Sequence, residues 1–433
     1  MASESSSLPQ RIVSGVFYRL ARSYVRSKKP LIIAVGGSVG KTSTKLVLAE
    51  LLATEKRVSY MDDSYNNGIG LYLSVFNQKV PTNAMSPLGW AKTLARAIQT
   101  FFKAGPEILI LEYGIDHPGD MDDMTAFIQP DIGFLTAVTP EHMEYMKTIE
   151  LVAEEEIKLL SSAKQFGIVN AVDVDSRFLT SLTTPVHSYG YSDSDAQYTV
   201  RSWTNKGALV DFRLEEMQLT DVLVHFISEP LIRQLTGAAL LAKKLGVSKE
   251  GICRGLETAQ PAASRMRLFE GKQNSVIIDD TTNFSPNAGI EALKSLKRLE
   301  ANRHIAILGN MHELGEYADK GFSEVAKEFT GLDMIVLVGD ISVEHFLPLA
   351  TKQGFKKDET IFICPDAPSA GIFLRDQIQD SDAILVKGPF GGFYLEEAVK
   401  KLLKNPADSK YLTRQSDFWQ RKKRQQFGNL LDA

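Results

Sequence analysis

The chain has 433 residues, 44% hydrophobic and 24% charged, which is the composition of soluble globular protein with two or three domains rather than of a disordered or collagen-like chain. Lys and Arg total 49 against 53 Asp and Glu, a net charge of −4, so dedicated binding to a nucleic-acid backbone is not favoured by the whole-chain balance. Cys253 and Cys364 are too far apart for a CxxC site or a disulfide scaffold, no apolar run approaches the roughly 18 residues of a membrane span, and MASESSSLPQ lacks the features of a signal peptide, so the expected compartment is the cytoplasm.

Four segments are expected: 1–30, 31–265, 266–405 and 406–433. In the first, Ile12, Val13, Val16, Phe17, Leu20, Ala21, Tyr24 and Val25 recur at helical spacing, surrounded by Arg11, Arg19, Arg22, Arg26, Lys28 and Lys29. This basic amphipathic helix is expected to dock on its own domain, with peripheral membrane contact as the alternative. The continuous apolar run Leu31–Val35 predicts a buried strand, followed by a Gly-rich turn and a helix over Thr42–Thr54. Strands follow at Ile108–Glu112 and Ile132–Thr136, then a helix over Ile149–Ala163 and a strand at Gly167–Asn170. Short alternating strands fill Ser188–Ile227, a helix covers Leu231–Leu245, and Gln260–Ser264 reads as a linker. Beyond it, strands at Val276–Asp279, His304–Leu308, Met334–Val338, Ile361–Cys364 and Ala383–Val386 alternate with helical patterns. That rhythm predicts an α/β fold with parallel sheets. The last segment, with its basic Arg421–Arg424, is expected to be a polar, solvated tail.

Gly36–Thr44 reads GGSVGKTST and lies between a strand and a helix, the context a P-loop requires. Val35 stands where the longer motif has its first glycine, so the match is to the shorter G-x-x-G-K-T form. Backbone N–H groups of Gly37, Ser38, Val39, Gly40, Lys41, Thr42 and Ser43 are placed to cradle phosphate oxygens, with the helix N-terminus adding partial positive charge. Lys41 is placed to reach the outer phosphates, and Thr42 to join a Mg²⁺ shell. Two later strands end in EYGIDHPGDM (Glu112–Met121) and AVTPEHMEYM (Ala137–Met146). Glu112 and His142 therefore sit just past strand C-termini, where α/β sheets bind ligands, and are candidate metal ligands and catalytic groups with Lys41.

Several ordered motifs make residues 31–405 resemble the Mur ligase family. They are GSVGKTSTK (Gly37–Lys45), NNGIG (Asn66–Gly70), the Glu112–Met121 segment, EHMEYMKTIELVAEEE (Glu141–Glu156), SRM (Ser264–Met266), IDDTTNFSP (Ile278–Pro286), ILGNMHELG (Ile307–Gly315) and VKGPFGG (Val386–Gly392). The resemblance implies a central P-loop ATPase domain and a Rossmann-like C-terminal ligase domain. It implies ATP and Mg²⁺ as cofactors and small-molecule substrates: a nucleotide-linked peptide acceptor and an amino acid or dipeptide. The reaction it implies is amide-bond formation through an acyl phosphate, with D-Ala-D-Ala added to a UDP-muramoyl tripeptide in peptidoglycan precursor synthesis. Lys41 and Thr42 would hold the triphosphate, Glu112 one metal and His142 a second. Arg265 and Asn283 would contact the nucleotide, and Asn66, Asn67, His117 and Lys387 the substrates. A monomer with no nucleic-acid partner is expected.

The chain departs from the family at several points. Only about 30 residues precede the P-loop strand, where the family carries a uridine-binding domain. Pro389 and Phe390 stand where it has Ser and Arg, Asn310 replaces an Asp, and Ala137 an Asn. The family's carbamylated lysine lies fourteen residues after its histidine, a position occupied here by Glu156, with Lys158 two residues on. Glu156 is thus a candidate metal ligand and catalytic residue in place of the carbamate; a solvated Glu154–Glu156 face with Lys158 carbamylated is the alternative. Other readings are the same chemistry on another carboxylate, a non-catalytic binding homologue, and a P-loop ATPase of mechanical or regulatory function.

Overall fold

Short apolar strands alternating with helices build two sheets, as the sequence pattern predicts. The computed structural model describes residues 8–65, 68–81, 83–140, 143–312 and 314–432. They divide into two units. One holds the chain up to Val200 with Val210–Val224 and Glu229–Ala259; the other holds Arg201–Leu209, His225–Ser228 and the chain from Gln260 onward.

The first sheet contains β1 (Leu31–Gly36), β2 (Val58–Ser59), β3 (Ile108–Glu112), β4 (Ile132–Leu135), β5 (Phe166–Asn170), β6 (Val186–Tyr189), β7 (Ala196–Thr204), β8 (Gly207–Leu214) and β9 (Met217–Val224), in the order β2-β3-β1-β4-β5-β6-β7-β8-β9. Central β1 pairs in parallel with β3 and β4, in a register that sets Val35 beside Glu112 and Gly36 beside Leu135. The C-terminal ends of three strands therefore meet at one edge, where the first sequence motifs lie. The accompanying helices are α1 (Leu8–Lys28), α2 (Lys41–Ala53), α3 (Gly68–Ser74), α4 (Pro87–Phe102), α5 (Asp120–Phe127), α6 (Met143–Met146), α7 (Ile149–Ser162), α8 (Glu229–Lys244) and α9 (Lys249–Thr258).

Helix α1 buries Phe17, Ala21 and Tyr24 in the core built on β1 and β3, so it docks on its own unit as expected. Helix α4 was not legible from periodicity. It starts cleanly, with the Ser86 hydroxyl accepting from Gly89 N–H (3.1 Å) and Pro87 in the first turn. Its inward residues Trp90, Leu94, Ala97 and Phe101 pack on the core, but its outward face is also apolar, which erases a one-sided pattern.

The second sheet contains β10 (Arg267–Glu270), β11 (Val276–Asp280), β12 (Arg303–Leu308), β13 (Met334–Val338), β14 (Ile361–Cys364) and β15 (Asp382–Lys387), in the order β10-β11-β15-β12-β13-β14. Its pairs are parallel except β10–β11. Its helices are α10 (Pro286–Arg298), α11 (Ala318–Ala326), α12 (Asp340–Lys352), α13 (Ala367–Arg375), α14 (Glu396–Leu402) and α15 (Asp417–Phe427).

The C-terminal segment corrects the expectation of a solvated tail. Lys423 in α15 is fully buried and pairs with Glu396 (2.8 Å) and Glu397 (2.7 Å) of α14, while Arg414 makes two bonds to Glu396. Phe427 and Leu431 complete the contact. Within the basic run, Arg421, Lys422 and Arg424 are exposed while Lys423 turns inward to buried carboxylates, and a composition window cannot tell the one from the others.

Asp279, at the end of β11, is completely buried. Burial pushes its carboxyl up to about 7, against the lowering effect of hydrogen bonds from Thr281 (2.7 Å) and Ser264 (2.9 Å). An unfolded aspartate ionises near ~3.9, so between roughly that pH and about 7 the folded state holds the extra proton. The stability contribution is full below the unfolded value and is lost as pH rises through the folded one. Asp279→Asn should flatten this part of the profile. Urea midpoints measured from pH 5 to pH 8 should fall less for the variant than for the wild type, and parallel profiles would contradict the assignment.

Candidate functional site

The loop between β1 and α2 is held in a conformation that only glycine accepts readily. Gly37 and Gly40 have φ of 121° and 88°. A Cβ on Gly37 would lie 2.2 Å from Thr136 Oγ1, and one on Gly40 would lie 1.9 Å from Gln234 Nε2. Neighbouring chain braces the loop: Thr136 donates to the Gly36 carbonyl (3.0 Å) and the Val39 carbonyl (2.6 Å), and Ser38 N–H donates to Ala137 O (2.9 Å). Ser38 Oγ donates to the Thr139 carbonyl and accepts from its N–H, both at 3.0 Å. Lys41 Nζ curls back onto the carbonyls of Gly37 (2.5 Å) and Ser38 (3.2 Å). Val39 is the exposed tip, and Ser43 is buried in the first turn of α2.

Glu112 closes this group from the end of β3. Its Oε1 accepts from Thr42 Oγ1 (3.0 Å) and Ser64 Oγ (2.7 Å), and its Oε2 from Lys45 Nζ (2.8 Å). Burial alone would raise this carboxyl, but the Lys45 ammonium and the hydrogen bonds outweigh it and hold the pKa below the ordinary value. The carboxylate is therefore charged at neutral pH. Lys45 is a site group that the motif pattern does not single out: it closes GSVGKTSTK, and its i+4 relation to Lys41 puts it one turn on. It also donates to the Asp63 carbonyl (2.8 Å).

Glu156 is fully buried on α7. A Cβ on Gly36 would lie 3.2 Å from Glu156 Oε2 and 2.7 Å from Leu159 Cδ2, so the bare Cα of Gly36 lets α7 bring this carboxylate to the start of the loop. Its neighbours in the acidic run behave differently. Glu154 is exposed, and Glu155 is buried with Lys158 on its Oε1 (2.5 Å). Lys158 also donates to Asp122 (2.7 Å). Burial works against its ammonium, but these two carboxylates prevail and raise its pKa above the ordinary value.

His142, Asn66 and Asn67 lie outside the described residues. His117 is exposed, with its ring 4.3 Å from that of Tyr145 and its backbone N–H donating to Asp120 Oδ2 (2.7 Å). In the second unit, Arg265 is half-buried beside β10 and Asn283 is exposed. Lys387 is buried, donating to Asp280 (2.5 Å) and to the Asn283 carbonyl (2.7 Å). Lys387 thus anchors the turn carrying Asn283. Asn310 is committed to the start of α12, where its Oδ1 accepts from Ser342 N–H (2.8 Å). At the Pro389–Phe390 departure, the Arg414 guanidinium lies 4.9 Å above the Phe390 ring.

The donors Thr42 and Glu112 are hard oxygens at a loop built for phosphate, which fits Mg²⁺. A separate grouping, His187, Asp195 and Glu215, has donor atoms close together. Lys243 (2.5 Å) and Lys244 (2.7 Å) already neutralise Glu215 there, so it is an ion-pair cluster.

Residues 35–229 match the family described as Mur ligase middle domain, and residues 264–390 match that described as Mur ligase, glutamate ligase domain. A UDP-N-acetylmuramoyl-tripeptide–D-alanyl-D-alanine ligase of Bacillus subtilis is 23% identical over 392 residues, spanning 90% of this chain and 79% of that protein. The ligase of the same name from Escherichia coli is 24% identical over 410 residues, spanning 92% and 83%. A crystal structure of MurF from Acinetobacter baumannii matches with a TM-score of 0.74 at 20% identity, covering 90% of this chain and 81% of that one, a likeness of fold.

The Glu112–Lys45 pair carries a structural prediction of its own. Glu112→Gln leaves the Lys45 ammonium buried without its counter-charge, which should cost about 3–5 kcal/mol. Adding Lys45→Met should restore much of that loss. Urea unfolding of the two single variants and the double variant checks it; additive losses would contradict the coupling.

Proposed function

The chain belongs to the Mur ligase family, and on that premise we propose that it is an ATP-dependent amide ligase that adds D-Ala-D-Ala to a UDP-N-acetylmuramoyl tripeptide, acting in the cytoplasm as a monomer. The observation that carries the reading is the P-loop held against a charged, buried Glu112, on a scaffold whose ordered motifs run through both units. The chain spans most of the length of the two ligases of that name described above, which supports the reading.

The reaction transfers the γ-phosphoryl group of ATP to a carboxylate of the acceptor, giving an acyl phosphate and ADP. The amine then attacks the acyl carbon, and phosphate leaves from the tetrahedral intermediate. For the first step this chain supplies charge compensation and position. Loop N–H groups at the N-terminus of α2 face phosphate oxygens, and Lys41 moves from the loop carbonyls to the phosphates. Thr42, Glu112 and Glu156 would hold Mg²⁺, which neutralises charge on the phosphates when bound. What supports Glu156 over Lys158 is helix phase. Two residues turn the side chain about 200° around the axis, which leaves Glu156 toward Gly36 and Lys158 toward Asp122. Carbamylation needs a neutral amine, and Lys158 is held as an ammonium.

Phosphate release measured across a panel of nucleotide-muramoyl peptides, other carboxylates and amines tests the reading. Turnover should require both a carboxylate and an amine; turnover with neither would indicate a plain ATPase. Lys41→Ala should lower the rate by about 10²–10³ without unfolding the protein, and near wild-type turnover would refute its role.

Glu156 makes activity independent of CO₂. Rates in CO₂-free and bicarbonate-supplemented buffer should be equal. Glu156→Gln should slow turnover and be partly rescued by raised Mg²⁺, while Lys158→Arg should stay active. A fully active Glu156→Gln beside a dead Lys158→Arg would reverse the assignment.

A further inference from the structure

Helices α1 and α4 contain no aspartate or glutamate, although the chain as a whole is acidic. On α1 and just after it stand Arg11, Arg19, Arg22, Arg26, Lys28 and Lys29; on α4 and just after it stand Lys92, Arg96 and Lys103. The two helices pack side by side, with Phe17 6.0 Å from Trp90 and Tyr24 5.8 Å from Phe101. Both outward faces carry apolar residues. On α4, Leu88, Ala91, Ala95, Ile98 and Phe102 follow at three- and four-residue spacing, all exposed, with Leu88 at 66% and Phe102 at 82%. On α1, Ile12 (61%) and Val16 lie one turn apart, also exposed.

Beside α1 a cleft of about 570 Å³ is lined by Arg22, Arg26, Lys29 and Lys164, with Phe127 at its wall. Among the described residues lining it, Asp131 is the one carboxylate, and it already accepts from Ile32 N–H (2.8 Å) and Lys164 (3.0 Å). The cleft adjoins Leu31, at the opposite end of β1 from the P-loop, so whatever covers this face leaves the nucleotide loop open.

We propose that α1 and α4 form a docking face for an anionic bilayer surface. Leu88, Ile98, Phe102, Ile12 and Val16 enter the headgroup–acyl boundary, the surrounding cations meet lipid phosphates, and the basic cleft seats a headgroup. Apolar residues ringed by Lys and Arg, with no acidic residue among them, are the signature of an interfacial helix. No described helix is long and apolar enough to cross a membrane, so attachment is to the surface. A second copy of the chain fits less well, because it would press two positive faces together. The inference does not depend on the catalytic reading.

Co-sedimentation with vesicles of phosphatidylcholine alone and of phosphatidylcholine with phosphatidylglycerol tests it. The protein should pellet with the anionic vesicles, stay in solution with the neutral ones, and be released by high salt. Removing Arg19 or Arg96 as alanine should weaken partitioning roughly fivefold each. Leu88→Asp with Phe102→Asp should abolish it at an unchanged melting temperature, since both side chains are exposed. Absence of pelleting with anionic vesicles overturns the proposal, as does equal pelleting with neutral ones. Sedimentation velocity without lipid closes the remaining route: a dimer that Phe102→Asp dissociates would make the face a self-association surface and overturn lipid docking.

Discussion

The contact on which the first unit's site depends is the Glu112 carboxylate at the end of β3. It takes Lys45 and Thr42 from α2 and Ser64 from the stretch after β2, tying three segments to one charge. A buried carboxylate is tolerable only because an ammonium and two hydroxyls meet it in good geometry. The same arrangement leaves an anionic oxygen beside the P-loop threonine. The group that holds these segments together is thus the same carboxylate that is proposed to hold Mg²⁺.

Close backbone approach is the second constraint. α7 approaches β1 and β4 where Gly36 and Gly133 present no side chain; a Cβ on Gly133 would sit 3.0 Å from the Leu159 carbonyl. This contact sets how α7 is rotated, and the rotation decides which member of the Glu154–Glu156 run faces the loop. A helix contacted at Leu159 on its inner side turns Glu156 inward and Glu154 outward.

The second unit is organised by buried ion pairs. Lys387 and Asp280 join the ends of adjacent parallel strands and fix the turn that presents Asn283. Glu396 and Glu397 draw Arg414 and Lys423 out of the C-terminal segment and into the interior. Removing either partner from such a pair leaves an uncompensated charge, so the C-terminal segment is part of this unit rather than an appendage.

The sequence by itself determined the strand–helix alternation behind the parallel parts of both sheets, the strand–loop–helix P-loop and the position of Glu112 at a strand end, because apolar periodicity and glycine spacing are properties of near neighbours in the chain. It also carried the ordered motifs. Only the tertiary structure decided that Lys45 is Glu112's counter-ion, that Lys387 anchors a turn, and that Glu156 rather than Glu154 faces the loop. It alone exposed the outer apolar stripe of α4 and buried Arg414 and Lys423 of the C-terminal segment. The physical reason is common to all of these. Partners of a charge and the rotation of a helix are set by groups distant in sequence, and an apolar residue or a lysine carries no local mark of whether water or another segment will cover it.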